Sequence, residues 1–410
     1  MSNINFQEFK TLAIVSVVAI CGMFGTDIHL ASIPHIMSYM HTDKAHMQQS
    51  VSIYLLGMGL SLLFYGPLSD KYGRKPIVIF GLSLACVASF AAAYTSHINA
   101  FLVMRLLQGI GSGVCLGVGR TILADVLQGE RLATVGSYFS LFLALSPLLA
   151  PALGGYIQHW FDWQANFIVF GSLLTTALFL YTCYCPETNQ HRNPQAFSVS
   201  GLYSNYKFLL FHPTFVGATL ITGIVSAATM VYATSSPIIF QTQYHMSPIT
   251  YGWITASAGA GGFIGKLTSP FAIRKIGSQK TLLLGLVLLV IAGLWLAFFK
   301  LMNFLTVPLI MVAVFLTIFS QAYTLPGAVS RALGPFHDKR GAAGALYGSF
   351  QMLVAFLVSA ITGLLSYNGV LVLTVSYCTL GVLGMVIYWC LFQEKTLKST
   401  LIESLLKKPN

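Results

Sequence analysis

Gly66-Pro67-Leu68-Ser69-Asp70-Lys71-Tyr72-Gly73-Arg74-Lys75-Pro76 is a dense knot of charge and turn residues set between two long apolar runs. A tight connection between two helices needs Gly66 where the helices come close and Gly73 where φ is positive. Lys71, Arg74 and Lys75 suit a position beside anionic headgroups. Asp70 is the odd charge. A carboxylate among basic and turn residues is expected at the start of a helix, or beside the start of a neighbouring one, where free N–H groups and the dipole favour an anion.

Outward from this knot the chain is apolar. Of its 410 residues 56% are hydrophobic and only 8% charged, and mean hydropathy is +0.75, against roughly 25% charged in a soluble domain. Twelve apolar runs can be counted, at 11–34, 49–69, 76–94, 98–121, 133–157, 164–184, 213–238, 249–270, 280–299, 303–325, 342–366 and 369–392. Each is near the ~20 residues that cross ~30 Å of hydrocarbon. The expected fold is therefore an all-α integral membrane protein of twelve transmembrane helices. The first run is too long for a signal-peptide core and is expected to stay attached as a span.

The formal net charge of +11 is spread over short connections, so it reads as topology rather than as a nucleic-acid surface; no DNA or RNA partner is implied. Lys71, Arg74, Lys75, Arg131, Arg192, Lys207, Lys266, Arg274, Lys275, Lys280, Arg331, Lys339 and Arg340 fall on one side, against Lys44 and Lys300 on the other. This places both termini in the cytoplasm. The seven cysteines lie within or at the edges of apolar runs and read as small core residues. Six histidines (His35, His41, His46, His97, His159 and His245) fall on the outer side. No i, i+4 pair among them with a carboxylate fixes a metal site, and none is expected.

The opening stretch resembles the G-x-L-[SA]-D-[KR]-x-G-[RK]-[RK] signature between the second and third helices of the major facilitator superfamily, and matches it at every defined position. Gly66, Asp70, Lys71, Gly73, Arg74 and Lys75 are accordingly the candidate gating loop. The resemblance implies two pseudo-symmetric six-helix bundles with a substrate cavity between them. The bundles are expected at 1–185 and 213–392, joined by a cytoplasmic linker at 186–212 and followed by a cytoplasmic tail at 393–410. A worn copy of the signature, Gly265-Lys266-Leu267 followed by Arg274-Lys275-Ile276-Gly277, lies in the second half without its aspartate.

Ionisable groups inside hydrocarbon cost several kcal/mol unless they work there. Asp27 is the acid that sits well inside a span, after a stretch loosened by Gly22 and Gly25; Arg105 is the clearest basic case. Arg105, Gln108 and Gly109 share one helix face and resemble the superfamily's fourth-span R-x-x-Q-G. That resemblance implies a part for Arg105 in proton transfer or in the charge balance of the cavity. Structural roles, Asp27 held by Thr26 or a neighbouring helix and Arg105 in packing or a salt bridge, are the alternatives. Asp27 and Arg105 are the candidate proton-coupling pair.

Ser146-Pro147-Leu148-Leu149-Ala150-Pro151-Ala152-Leu153-Gly154-Gly155 resembles the kinked fifth-span element of drug/proton antiporters, with Ala150 where glycine is usual. Pro147 and Pro151 bend the span, and Gly154 and Gly155 let it lie against a partner. Asp27-Ile28-His29-Leu30-Ala31-Ser32-Ile33-Pro34 resembles the D-x-Y-L-P-A-x-P stretch of bicyclomycin-resistance (Bcr/CflA-like) antiporters, with His29 replacing tyrosine and Ala31 the first proline. Pro186-Glu187-Thr188 resembles their sixth-span exit, and Gly341 to Gln351 their eleventh-span entry. His29, Gln108, Tyr54, Phe139, Tyr232 and Tyr323 are candidates for the substrate cavity.

The resemblance thus implies a proton-coupled exporter of small amphipathic compounds in the bacterial inner membrane, working as a monomer, powered by the proton gradient and needing no cofactor. A carrier for one metabolite or metallophore, running either way, is the alternative within transport. A membrane enzyme or sensor would need paired carboxylates, a metal-spaced His cluster or a nucleophile with its base, and none is present in the spans.

Overall fold

The computed structural model describes residues 6–190, 192–193, 197–336, 339–365 and 369–406. Among them there is no strand. The first traverse is α1 (Phe6–Asp27), a 3-10 turn at Leu30–Ser32 and α2 (Ile33–Tyr39), followed by α3 (Lys44–Tyr72), α4 (Arg74–Ala93) and α5 (Ile98–Val126). The fifth is split into α6 (Gly129–Leu143) and α7 (Ser146–Trp160), and α8 (Trp163–Tyr184) closes the first bundle. A short α9 (Val199–Leu210) lies in the linker. The second bundle is α10 (Pro213–Pro237), α11 (Pro248–Ile276), α12 (Ser278–Leu301), α13 (Val307–Leu333), α14 (Arg340–Leu364) and α15 (Gly369–Leu406). Eleven of the twelve traverses are long and apolar enough to span a membrane; α11 is long enough, with 29 residues, but its many Gly, Ser and Thr residues make it less apolar than the others. Of the tail expected at 393–410, residues 393–406 continue α15 as helix and 407–410 lie outside the described residues.

The opening stretch is not a loop. Helix α3 runs on through Gly66, Asp70 and Lys71 to Tyr72, and the whole turn into α4 is Gly73, at φ +104°. The worn copy in the second half repeats the device: α11 runs to Ile276 and turns into α12 through Gly277, at φ +85°. Such φ values are open to glycine and strained for other residues, which explains why glycine ends both copies.

Pro67 inside α3 cannot donate to the carbonyl of Leu63 four residues back. The hydroxyl of Tyr206 on α9 supplies the missing bond, donating to Leu63 O at 2.7 Å. Helix α4 is likewise capped from a distance. Its N-cap Gly73 has no side chain to offer, and the Glu187 carboxylate accepts instead from the backbone N–H groups of Arg74 (2.8 Å), Lys75 (3.1 Å) and Asn189 (2.9 Å). Removing such a cap costs about 1–2 kcal/mol. Glu187→Ala is therefore expected to lower the melting temperature of the detergent-purified protein by a few degrees, and an unchanged melting curve would show that the cap carries no stability.

The two bundles meet along two seams. On the first, α3 lies against α14: a Cβ on Gly59 would stand 3.0 Å from Leu353 and one on Gly66 3.7 Å from Ala345. On the second, α7 lies against α11, backbone on backbone. Gly252 and Gly259 each face a carbonyl oxygen, of Pro151 and Pro147, only 2.6 Å from where a Cβ would be, and Gly155 faces the carbonyl of Pro248. The Pro147 oxygen is free for this contact because Pro151 has no N–H to return to it. Gly154 turns the other way, onto the backbone of Ile28 at the break in the first traverse.

One end of the interface is sealed by neutral polar groups. Gln48 donates to Thr234 O (3.3 Å), Ser52 to Ser359 Oγ (3.0 Å), and Thr234 and Ser359 share a hydrogen bond of 2.6 Å. Toward the other end, which carries the basic residues, Lys266 of α11 donates to Ser140 O of α6 at 3.4 Å.

Candidate functional site

Helix α1 ends at Asp27, with Ile28 N still donating to Phe24 O at 3.0 Å, and the chain passes through the 3-10 turn into α2, where Pro34 sits in the first turn and needs no N–H partner. The break sets Asp27 at the inner edge of the first bundle, facing the second. The residue is 8% exposed, and no hydrogen bond or ion pair engages its carboxylate among the described residues. It lies within electrostatic reach of Arg105, of Tyr54 and, across the interface, of Tyr251 on α11.

Arg105 is fully buried, and its charge is held by backbone rather than by a carboxylate. Nε donates to Ser50 O (3.1 Å), and Nη1 to Gly25 O (3.1 Å) and Gln108 Oε1 (2.8 Å). The guanidinium carbon stands 4.4 Å from the centre of the Tyr54 ring, a cation–π geometry. Tyr54 donates to Gly22 O at 2.8 Å, and Gln108 to Ser89 Oγ at 2.9 Å. Arg105 Nη2 and both ring nitrogens of His29 are buried without a hydrogen-bond partner among the described residues. His29 packs its ring 5.8 Å from Phe167. Unpaired donors in a buried site are costly, so this corner is built to accept a further polar group.

Asp27, His29, Tyr54, Arg105 and Gln108 thus come together. The other cavity candidates do not join them. Phe139 packs into the core of the first bundle, against α5 near Gly119. Tyr323 is half-buried, donating to Thr268 Oγ1 (3.2 Å) and stacked on Phe319. Tyr232 is buried in the second bundle, with Thr255 at 3.4 Å, and sits beside Tyr251. Tyr251, which shares a 3.0 Å hydrogen bond with Ser236 and packs beside Phe240 in the second bundle, carries no sequence signal beyond its place at the start of an apolar run. The polar cluster of the second bundle is neutral: Gln321 and Gln351 both donate to Ser226 Oγ, at 3.1 and 2.8 Å.

At the basic end Asp70 pairs with Arg74, whose Nε also meets Asp125 at 2.9 Å. The second oxygen of Asp70 lies 3.8 Å from the Cβ position of Gly341, in the first turn of α14 in the opposite bundle. Asp125 and Glu187 complete the cluster, and Thr188 donates to Asp125 at 3.2 Å. Lys71 leans over the ring of Tyr72, and Lys75 contributes its backbone N–H to Glu187. Among the outer histidines, His46 bonds to Asp43 at 2.8 Å beside the N-cap of α3.

Two bundles meeting on an unpaired carboxylate and a buried arginine are the arrangement of a carrier, and the sequence model of the Major Facilitator Superfamily matches residues 15–238 and 218–407. The chain belongs to the Major Facilitator Superfamily. It is a multi-pass membrane transport protein and not an enzyme. Over 347 residues it is 30% identical to the multidrug resistance protein MdtL of Klebsiella pneumoniae, covering 84% of this chain and 86% of that one. It is 29% identical to an uncharacterized transporter of Rickettsia bellii, over 83% and 85% of the two chains. Among solved structures, the partially occluded inward-open xylose transporter XylE of E. coli superposes with a TM-score of 0.73 at 14% identity, over 94% and 97% of the chains. That likeness is one of fold.

Proposed function

We propose that this superfamily member is a proton-coupled exporter of small amphipathic compounds, working by alternating access in the bacterial inner membrane with both termini cytoplasmic. The observation that carries the reading is Asp27: an unpartnered carboxylate at a helix break, facing the opposite bundle and within the field of a buried Arg105. A carboxylate so placed exchanges a proton for a substrate as the site turns from one side to the other. The curated relatives named as multidrug resistance proteins support the same reading, and the excess of basic residues at the Asp70–Arg74 end supports the orientation.

The glycine-against-carbonyl contacts of α7 and α11, and the contacts of α3 and α14, are surfaces on which two rigid bundles can rock. Asp70 is placed to hold one state, because its free oxygen reaches the first turn of α14, where a carboxylate is favoured. The test is accumulation of several unrelated amphipathic dyes in a transporter-depleted bacterium, with and without a protonophore. Expression is expected to lower accumulation of more than one dye, and the protonophore to remove the difference. Lowered accumulation that survives the protonophore would exclude proton coupling, and an effect on none of the dyes would favour a dedicated carrier.

A further inference from the structure

Two neighbouring spans begin at the basic end, α10 at Pro213 and α14 at Arg340, and α9 is packed against both. The inner face of α9 is fixed to each bundle. Leu209 is buried with Phe215, Phe336 and Leu346 of the second, and the Tyr206 hydroxyl donates to Leu63 O of the first at 2.7 Å. The outer face is apolar yet open: Phe211 is 79% exposed, Tyr203 66% and Phe208 49%. Rings gathered on one face of a short helix mark a surface that meets something other than water.

The same face is cationic. Tyr203, Ser204, Lys207, Phe208, Phe211 and His212 line an open groove of about 630 Å³, within the ~300–1,000 Å³ of small-ligand sites. Lys207 Nζ stands 5.7 Å from the centre of the Tyr203 ring. Lys339, the residue before α14, stands on the wall of the groove, its Nζ 4.2 Å from the centre of the Phe208 ring. His212 meets Phe336 edge-on at 4.9 Å, with Nδ1 buried and unpartnered among the described residues. No ion pair engages Lys207 or Lys339 among the described residues. The chain has no Asp or Glu between Glu187 and Asp338, so α9 and its flanks bring no carboxylate of their own. Of the acids at this end, Asp70 and Asp125 are held by Arg74, Glu187 by the start of α4 and Glu8 by Arg131. The side chains of Glu130, Asp338, Glu394 and Glu403 lie outside the described residues.

We propose that the α9 groove binds an anionic phospholipid, its phosphate met by Lys207 and Lys339 and its acyl chains lying along Phe208 and Phe211. The depth suits it. His212 is the N-cap of α10 and Lys339 that of α14, so the groove sits where two spans enter hydrocarbon, the level at which cations meet headgroups and aromatic rings meet the boundary. A phospholipid is the ligand that brings phosphate and hydrocarbon to that level together, and two cations without a carboxylate select an anionic headgroup over a zwitterionic one. The site is independent of what the protein carries. Because α9 touches both bundles, a lipid held there braces the linker against the pair of them.

The test is native mass spectrometry of the purified full-length protein titrated with dioleoyl-phosphatidylglycerol or dioleoyl-phosphatidylcholine, which share their acyl chains. The first phosphatidylglycerol is expected to bind at least fivefold more tightly than the first phosphatidylcholine. Lys207→Gln with Lys339→Gln should remove most of that preference, and Lys207→Arg with Lys339→Arg should keep it, which separates lost charge from lost folding. Phe211→Ser should weaken both lipids alike. Lys275→Gln with Lys280→Gln, both exposed at the same end but beside the Gly277 turn, should change nothing, which separates the groove from net charge. Equal binding of the two lipids, a preference that survives the Gln pair at Lys207 and Lys339, or an equal loss in the pair at Lys275 and Lys280 would overturn the assignment. The apolar face of α9 would then be a surface for a protein partner.

Discussion

Asp27→Asn is expected to abolish uphill substrate movement driven by an imposed pH gradient in proteoliposomes, by on the order of a hundredfold, the size usual for loss of a proton-carrying group. The variant should still insert and purify like the parent, because the carboxylate holds no hydrogen bond or ion pair that the amide would break. Asp27→Glu keeps the titrating group and should retain part of the coupled transport. The sign follows from exposure: opened toward the more acidic side the carboxylate takes a proton, and opened toward the cytoplasm it gives the proton up and admits substrate. An Asp27→Asn protein that still moves substrate uphill with unchanged pH dependence would remove Asp27 from the mechanism and turn attention to His29, whose two ring nitrogens are unpartnered nearby.

Gly259→Val should act on the balance of states instead of on the chemistry. A Cβ at this position would stand 2.6 Å from Pro147 O and 2.8 Å from Leu148 N, and neither backbone atom can turn aside. Overpacking of this kind costs about 2 kcal/mol, which is roughly thirtyfold in an equilibrium between closed and open seams. Both contacts lie between bundles and leave each bundle's own core untouched. The seam should therefore part at the end where α7 finishes and α11 begins, while the protein remains folded. Spin labels at Trp160 and His245, both exposed, should report a longer distance between the two sides than in the parent. An unchanged distance distribution would show that the α7–α11 contact does not set the closed state.

The twelve spans were legible because each is an apolar run cut off by charge, glycine or proline, a signal that needs no partner. The Gly73 turn was legible for the same reason. What escaped the sequence depended on pairing across distance. Glu187 caps α4 from 113 residues away in the chain, with Arg74 as the recipient, and nothing local to Glu187 announces it. Lys266 was grouped by its charge with the connections although the run at 249–270 already contained it, and it lies well inside α11. Phe139 illustrates the opposite error: an aromatic on a bent span invites a cavity role, and periodicity cannot tell a residue facing the gap from one facing its own bundle.

The single-glycine turns at Gly73 and Gly277 also have a mechanical consequence. One residue spans about 3.8 Å between successive Cα atoms, so neither turn has slack to take up. The α3–α4 and α11–α12 pairs are in effect stiff struts, and a tilt imposed on the first member of a pair reaches the second undamped. Lengthening either turn by even two or three flexible residues would add play to the linkage, as a worn bearing does, leaving every contact in place while the stroke of one helix no longer drives the other.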